Sequence, residues 1–485
     1  MTDRIDMLVE GQKYMVARAL AMILSAIGTI LFANVLGAGG LGEFYIYIVV
    51  AALCIKPASG VAVAVERAVS DHTTTDDGTS VSTGLLIGLL LGCVVAAVGW
   101  LLYRGTFSAG IHDYWIPLEQ QLLLITLVPS WSLYEVASRA FSGAGHPGDS
   151  TIIDATRGGI ETVVQIVLVV WGLGVTGLLA GATLATAAFV PIYLSQGAVT
   201  IATPSLSAGR RLLSFAKYSS VTRLAERVHR SGDVLLIGFF LGPAATGIYE
   251  VAIRALRYTK YVGRAIKRPL LVSVSQDAQT TTEAMRTLNR TGGYAGFASL
   301  LAIPLAVFYG EELLRLIYGP EFGDGAIILI AAGVYYTLLT HSEVLSEFLH
   351  GLDRPKPVTA SIVTAALARV LVSILLLPAF GLYGIVGAML CAELLRVSIL
   401  LYGVFISTAQ QYVPTQVGYQ LVGLCGAMSV GWVLTAVFPT TLISVSIGVV
   451  AVAAVYLVIV GLLDVVVRQT VHSTLSTTAS YVSRR

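Results

Sequence analysis

The sequence predicts an all-α polytopic membrane protein of about fourteen transmembrane helices. Three observations predict it. Of 485 residues, 56% are hydrophobic and only 12% are charged, whereas a soluble domain carries about 25% charged residues. Apolar runs of about 20 residues, long enough to cross a hydrocarbon core of roughly 30 Å, recur along the whole chain. The runs are about twice the length of barrel strands and do not alternate as strands do.

The runs of the first half lie at 12–36, 41–68, 82–103, 118–142, 150–172 and 175–201. Those of the second half lie at 212–241, 245–270, 286–316, 325–350, 356–379, 383–408, 415–438 and 441–466. Many contain Gly or Pro, which neighbouring helices tolerate by satisfying the freed backbone groups. The opening MTDRIDMLVE is polar and amphipathic. No small-residue cleavage site follows a short apolar core, so the first segment is expected to stay in the mature protein. Cys54, Cys93, Cys391 and Cys425 all fall inside apolar segments without metal-ligand spacing and read as small core residues.

An even number of crossings puts both termini on one side. Connections on that side carry nineteen Lys and Arg between Arg4 and Arg485, and the opposite connections carry only Arg104 and Arg315. By the positive-inside rule both termini are expected to be cytoplasmic, in the cell membrane. Arg outnumbers Lys 24 to 6, and the loop DHTTTDDGTSVS is rich in Asp and Thr. That mixture is compatible with a salt-adapted organism.

Three turn motifs recur in order. LGAGGLGEFY from Leu36 matches LGPAATGIY from Leu241 at an offset of about 205. Gly143 to Pro147 matches Gly351 to Pro355 at 208, and Gly174 to Gly177 matches Gly381 to Gly384 at 207. Each pair lies between the same two segments of its half. An offset spanning six helices implies parallel repeats, a recurrent transporter design that holds substrate between two bundles. The expected division is an N-lobe over 1–205, a C-lobe over 206–410, and an appended helix pair with its tail over 411–485.

Charges inside the apolar segments point to a site. An Arg at the bilayer centre costs about 2.5–3.5 kcal/mol on translocon scales. Arg223, Arg227 and Arg230 in the seventh segment are spaced to share one helix face. That face must meet water or anionic partners, either Glu226 and Asp233 in an internal ion-pair network or a ligand. In the eighth segment Arg254, Arg257, Tyr261, Arg264 and Arg268 form another continuous face, with Glu250 one turn before Arg254. Arg18 aligns with Arg223 at the repeat offset, and Lys56 lies in mid-segment just before Pro57, where a bend would expose its ammonium. Arg18, Lys56, Arg223, Arg227, Arg230 and Arg254 are therefore the candidate substrate-binding residues. A surplus of cations in a low-dielectric cleft attracts a polyanion, and Arg suits phosphate geometry particularly well.

Other intramembrane charges read as structural. Asp154, Arg157 and Glu161 can neutralise one another, and Arg369, Glu393 and Arg396 can form an ion-pair set. Glu343 and Glu347, with His341 and His350 nearby, are candidates for ion coupling, with loop-proximal pairing as the alternative. The chain has no Walker A sequence, no H-E-x-x-H and no G-x-S-x-G. No metal, cofactor or nucleic-acid signal is present.

The block LGAGGLGEFYIYIVVA ending in Glu66-Arg67, and the later FLHGLDRPKPVTASIV and LLLPAFGLYGIVGAML, resemble the oligosaccharide and polysaccharide flippases. These form a branch of the multidrug/oligosaccharidyl-lipid/polysaccharide exporter superfamily. The resemblance covers essentially the whole chain. It implies two six-helix lobes forming a V, two extra helices and alternating access. It implies a passenger oligosaccharide on a polyprenyl or dolichol phosphate, its (pyro)phosphate bound by cavity cations, and other glycan-assembly proteins as partners. It implies functional arginines on helices one, two and eight. Arg18 and Arg254 fit that pattern, and Lys56 stands where an Arg is expected. The function expected is thus a non-enzymatic flippase for surface polysaccharide or glycoprotein assembly. The alternatives are a multidrug cation antiporter, which calls for a cavity dominated by acids, and a membrane-embedded glycosyltransferase or polymerase. The latter calls for catalytic acids on a substantial external loop or domain.

Overall fold

A computed structural model describes residues 7–71, 77–108, 116–197, 200–261, 281–439, 441–464 and 468, with the side chains of α1 described from Leu20 onward. Fifteen α-helices occur among the described residues. They are α1 (Met7–Cys54), α2 (Lys56–Ser70), α3 (Asp77–Ser108), α4 (Leu118–Gly143), α5 (Pro147–Leu168), α6 (Gly174–Ser195), α7 (Leu206–Phe240) and α8 (Gly242–Leu256). After these come α9 (Thr281–Gly292), α10 (Phe297–Tyr318), α11 (Ala326–Gly351), α12 (Pro355–Phe380), α13 (Leu382–Thr408), α14 (Thr415–Val437) and α15 (Leu442–Leu463).

Each predicted apolar segment overlaps a helix, and the architecture is all-α. Nine stretches among the described residues are individually long and apolar enough to cross a membrane. Some hold two predicted segments, because α1 runs through a kink at Gly37 (φ 68°, ψ −177°). Likewise α5 and α6 are joined through Gly172 (φ 88°). The seventh segment, α7, is not among the nine, because its arginines lower its hydropathy. The predicted run 286–316 is interrupted: α9 ends at Gly292 and α10 begins at Phe297. The part of the eighth segment beyond Tyr261, with Arg264 and Arg268, lies outside the described residues.

The repeat reappears in the backbone. Gly174 has φ 55°, ψ −134° and its counterpart Gly381 has φ 54°, ψ −129°. Gly145 and Asp353 both take positive φ, as do Gly37 and Gly242. Pro147 and Pro355 each open a helix, where the missing N–H costs nothing and the fixed φ is already helical. The region of Gly381 is one that L-residues rarely enter. Gly381→Ala meets no neighbour within 4 Å, so its cost is pure backbone strain. It should lower unfolding stability by about 1–3 kcal/mol, measurable as a reduced midpoint in a thermal or denaturant melt.

Two compact units are present, 1–247 and 248–485. This contact-based boundary falls after α7, later than the repeat-based one at 205/206, because α7 packs along α2. In the first unit Val61, Val65, Tyr134, Val136, Phe141 and Tyr193 lie in one buried cluster with Leu212 and Ala216 of α7. In the second unit α9, α11, α12 and α13 share a core around Met285, Leu345, Phe348 and Leu400. The helices of the appended pair, α14 and α15, pack on α10 through Tyr309, Ala427, Val452 and Tyr456.

Within the first unit the two copies of the first motif touch reciprocally. A Cβ on Gly42 would lie 1.8 Å from the Pro243 carbonyl oxygen, and one on Gly247 would lie 2.0 Å from the Ala38 carbonyl oxygen. Ala38 and Pro243 are themselves counterparts at the repeat offset. Only glycine lets backbone approach backbone this closely.

Candidate functional site: an intramembrane cationic cluster

The site is built on the contact between α2 and α7. Ser205 caps α7, its side chain accepting from the Ala208 N–H at 3.1 Å. About four turns on, Ser219 donates to the Gly60 carbonyl at 3.1 Å and Ser220 to the Pro57 carbonyl at 3.2 Å. A side chain at position 60 would collide with Ser220, since the Gly60 Cβ position is 1.9 Å from its Oγ. α2 starts afresh at Lys56, after α1 ends at Cys54, and the Pro57 carbonyl accepts from Ser220 through its second lone pair. Arg67 at the far end of α2 stacks over Phe215, 5.1 Å from the ring centroid.

This seam fixes where the charges go. Lys56 is half-buried, as are Arg223 and Arg227, while Arg230 is exposed. The Lys56 ammonium lies in the field of Glu135, Arg227, Arg223 and Arg230. Glu135 is itself 3.9 Å from Arg139, which bridges to Glu66 at 2.9 Å. Among the described residues no carboxylate lies within ion-pair distance of Lys56 or Arg223. The sequence singled out these four cations, and the structure brings them together. It did not single out Glu135, whose closeness to Lys56 is a tertiary contact between α2 and α4. The side chain of Arg18 lies outside the described residues, as does that of Glu226.

The second unit holds a separate arrangement. Arg254 Nε is 2.5 Å from Glu250 Oε2, and Arg257 Nη2 is 3.7 Å from the same oxygen. One buried carboxylate thus serves two guanidinium groups. Tyr336 donates to the Ile253 carbonyl at 3.2 Å and carries Lys260 over its ring at 5.9 Å. Arg257 and Tyr336 were not among the sequence candidates. Arg257 was legible as part of the arginine face, and Tyr336 had no signal beyond being aromatic. Glu343 and Glu347 are half-buried on α11. His341, two residues before Glu343 and so on the other side of the helix, is buried with Nδ1 2.9 Å from the Thr337 carbonyl.

The charge sets expected to be structural are largely self-contained. Arg157 pairs with Glu161 at 2.5 Å and stacks over Tyr134 at 5.0 Å. Asp154 instead accepts from the hydroxyls of Tyr134 and Tyr193, so it is held by tyrosines rather than by Arg157. Glu393 takes Ser342 at 2.6 Å and Arg396 at 3.4 Å, and Arg369 lies over Tyr335 at 5.6 Å. Among the described residues no group of three or more His, Cys, Asp or Glu is placed to hold a metal ion.

Comparison with known proteins agrees with this architecture. Residues 131–326 match a family of polysaccharide biosynthesis proteins. The chain is 26% identical over 410 residues to a probable flippase, AglR, of Haloferax volcanii, covering 83% of this chain and 85% of that one. A solved structure of the lipid II flippase MurJ, in an inward closed conformation, superposes with a TM-score of 0.73 at 14% identity, covering 93% of this chain and 98% of the other. An inward-facing multidrug resistance transporter of the MATE family superposes at 0.62 with 15% identity, over 82% of this chain and 98% of the other. The chain thus has the all-α fold of these transporters, and residues 131–326 are similar to the polysaccharide biosynthesis proteins.

Proposed function

We propose that this protein is a flippase that moves a lipid-linked oligosaccharide across the cytoplasmic membrane by alternating access, with both termini cytoplasmic. The observation that carries this reading is the gathering of Lys56, Arg223, Arg227 and Arg230 in one electrostatic neighbourhood, with Glu135 beside Lys56. Such a surplus suits the phosphate or pyrophosphate of a polyprenyl- or dolichol-linked glycan. Arg18 and Arg254 are proposed as further substrate-binding residues, and Glu343 and Glu347 as ion-coupling residues. The probable flippase of Haloferax volcanii and the lipid II flippase support a passenger of this class. The glycosyltransferase reading is not adopted, because transport accounts for the intramembrane cations without catalytic acids.

Deletion of the gene tests the reading. A flippase predicts that the completed lipid-linked glycan accumulates and the surface glycan disappears, read by mass spectrometry of lipid extracts. Absence of the precursor would instead indicate synthesis. Robust ethidium efflux by the purified protein in vesicles would favour the multidrug antiporter and reject the flippase.

A further inference from the structure

We propose that Glu135 is an exchangeable counter-ion of the cationic cluster. It competes with the passenger's phosphate for Lys56 and turns to Arg139 while the phosphate is bound. The inference deepens the flippase reading and rests on it.

A cluster built only of cations suits loading and hinders unloading. A carried group must bind well enough to enter and weakly enough to leave. Charge-assisted hydrogen bonds are the strong ones, and several of them on one phosphate would hold it. A carboxylate of the protein's own offsets the repulsion among the cations of the empty site. It also returns to take the place of the departing phosphate.

Glu135 is placed for that role. α2 and α4 run side by side through two buried clusters. Ile55 shares one with Leu127 and Val128, and Val61 and Val65 share the other with Val136 and Ala140. Lys56 and Glu135 each adjoin one of these packed residues. The Lys56 ammonium feels the charge of Glu135 more strongly than that of Arg227, Arg223 or Arg230. Arg139 lies one turn further along α4, about 6 Å on. Its Nε is 3.9 Å from Glu135 Oε1, but its Nη1 has a closer partner in Glu66 at 2.9 Å.

Glu135 is therefore held firmly by neither cation. Among the described residues the 3.9 Å approach to Arg139 is its one ion-pair contact, and it accepts no hydrogen bond. Its side chain is 22% exposed, which leaves it room to turn. Glu250 shows the opposite arrangement, buried with guanidinium groups at 2.5 and 3.7 Å. A carboxylate that serves only the fold gains from such tight geometry, and Glu135 lacks it. With phosphate on Lys56, like charge drives Glu135 towards Arg139, whose fork has donors beyond the one Glu66 takes. When the phosphate leaves, Lys56 draws it back. No proton and no covalent bond changes hands.

The test is binding of inorganic pyrophosphate to the full-length protein in nanodiscs, by titration calorimetry at fixed ionic strength. Lys56→Gln should weaken binding, and Glu135→Gln should tighten it, on the order of ten-fold. Loss of a residue that only supports the fold would not tighten it. The tightening should largely vanish when Lys56→Gln is also present, because Glu135 acts through Lys56. Arg139→Gln should weaken binding several-fold by leaving Glu135 to Lys56, and that effect too should vanish without Lys56. This arm decides if Glu135→Gln fails to fold. Binding that weakens in Lys56→Gln but is unchanged in Glu135→Gln would overturn the counter-ion and leave the phosphate site standing. Equal tightening with and without Lys56 would overturn the exchange, making Glu135 a plain repulsive charge. Wild-type protein that binds no pyrophosphate, or binds it regardless of Lys56, would overturn the phosphate site and this inference with it.

Discussion

On the flippase reading, Arg223→Glu should abolish glycan export while the protein remains at wild-type abundance, and Arg223→Lys should retain a measurable fraction of it. Arg223 is half-buried beside Lys56 and Arg227. A hydrogen bond to a charged group contributes about 1.5–3 kcal/mol, so losing one phosphate contact alone lowers flipping about 10- to 100-fold. Reversing the charge does more, because the new carboxylate neutralises its cationic neighbours. Abundance should hold, because no described carboxylate depends on Arg223 for a partner. Arg254 behaves differently. Its removal takes from Glu250 the guanidinium at 2.5 Å and leaves the one of Arg257 at 3.7 Å, so loss of export there should come with some loss of protein. A glycan assay with an immunoblot separates the two, and normal surface glycan in Arg223→Glu would reject the cationic site.

Gly42→Val leaves little folded protein, while Gly39→Ala is neutral or slightly stabilising. The added Cβ at position 42 would lie 1.8 Å from the Pro243 carbonyl oxygen and 2.7 Å from the Gly247 nitrogen. Both obstacles are backbone, which has no rotamer to escape into. Overpacking of ordinary side chains costs about 1–3 kcal/mol, and displacing two backbone segments exceeds that. Gly39, three residues away, meets nothing within 4 Å, and a helical Gly→Ala gains roughly 0.5–1 kcal/mol. Fluorescence-detected size exclusion of the two variants checks both halves of the contrast.

What could be read from the sequence follows from how local each feature is. The turns at Gly174 and Gly381 were legible because a positive φ writes itself as glycine, whatever surrounds it. The arginine face of α7 was legible because helical spacing alone puts Arg223, Arg227 and Arg230 together. The seam that sets Lys56 beside them was not legible. Ser219 and Ser220 reach carbonyls of Gly60 and Pro57, and nothing about a serine in a helix names the helix it will touch. The break at Gly292–Gly296 carried a signal, the Gly292-Gly293 pair followed by Gly296, but hydropathy runs straight through it. Asp154 was matched with Arg157 because both lie on one helix, whereas its partners Tyr134 and Tyr193 come from α4 and α6.

Gly42 resting on Pro243 and Gly247 resting on Ala38 make one narrow gap walled by two equivalent helix segments. Enlarging either wall opens the same space. A methyl group introduced at position 42 should therefore relieve most of the penalty of a second one at position 247, and the paired change should cost far less than its two halves added together.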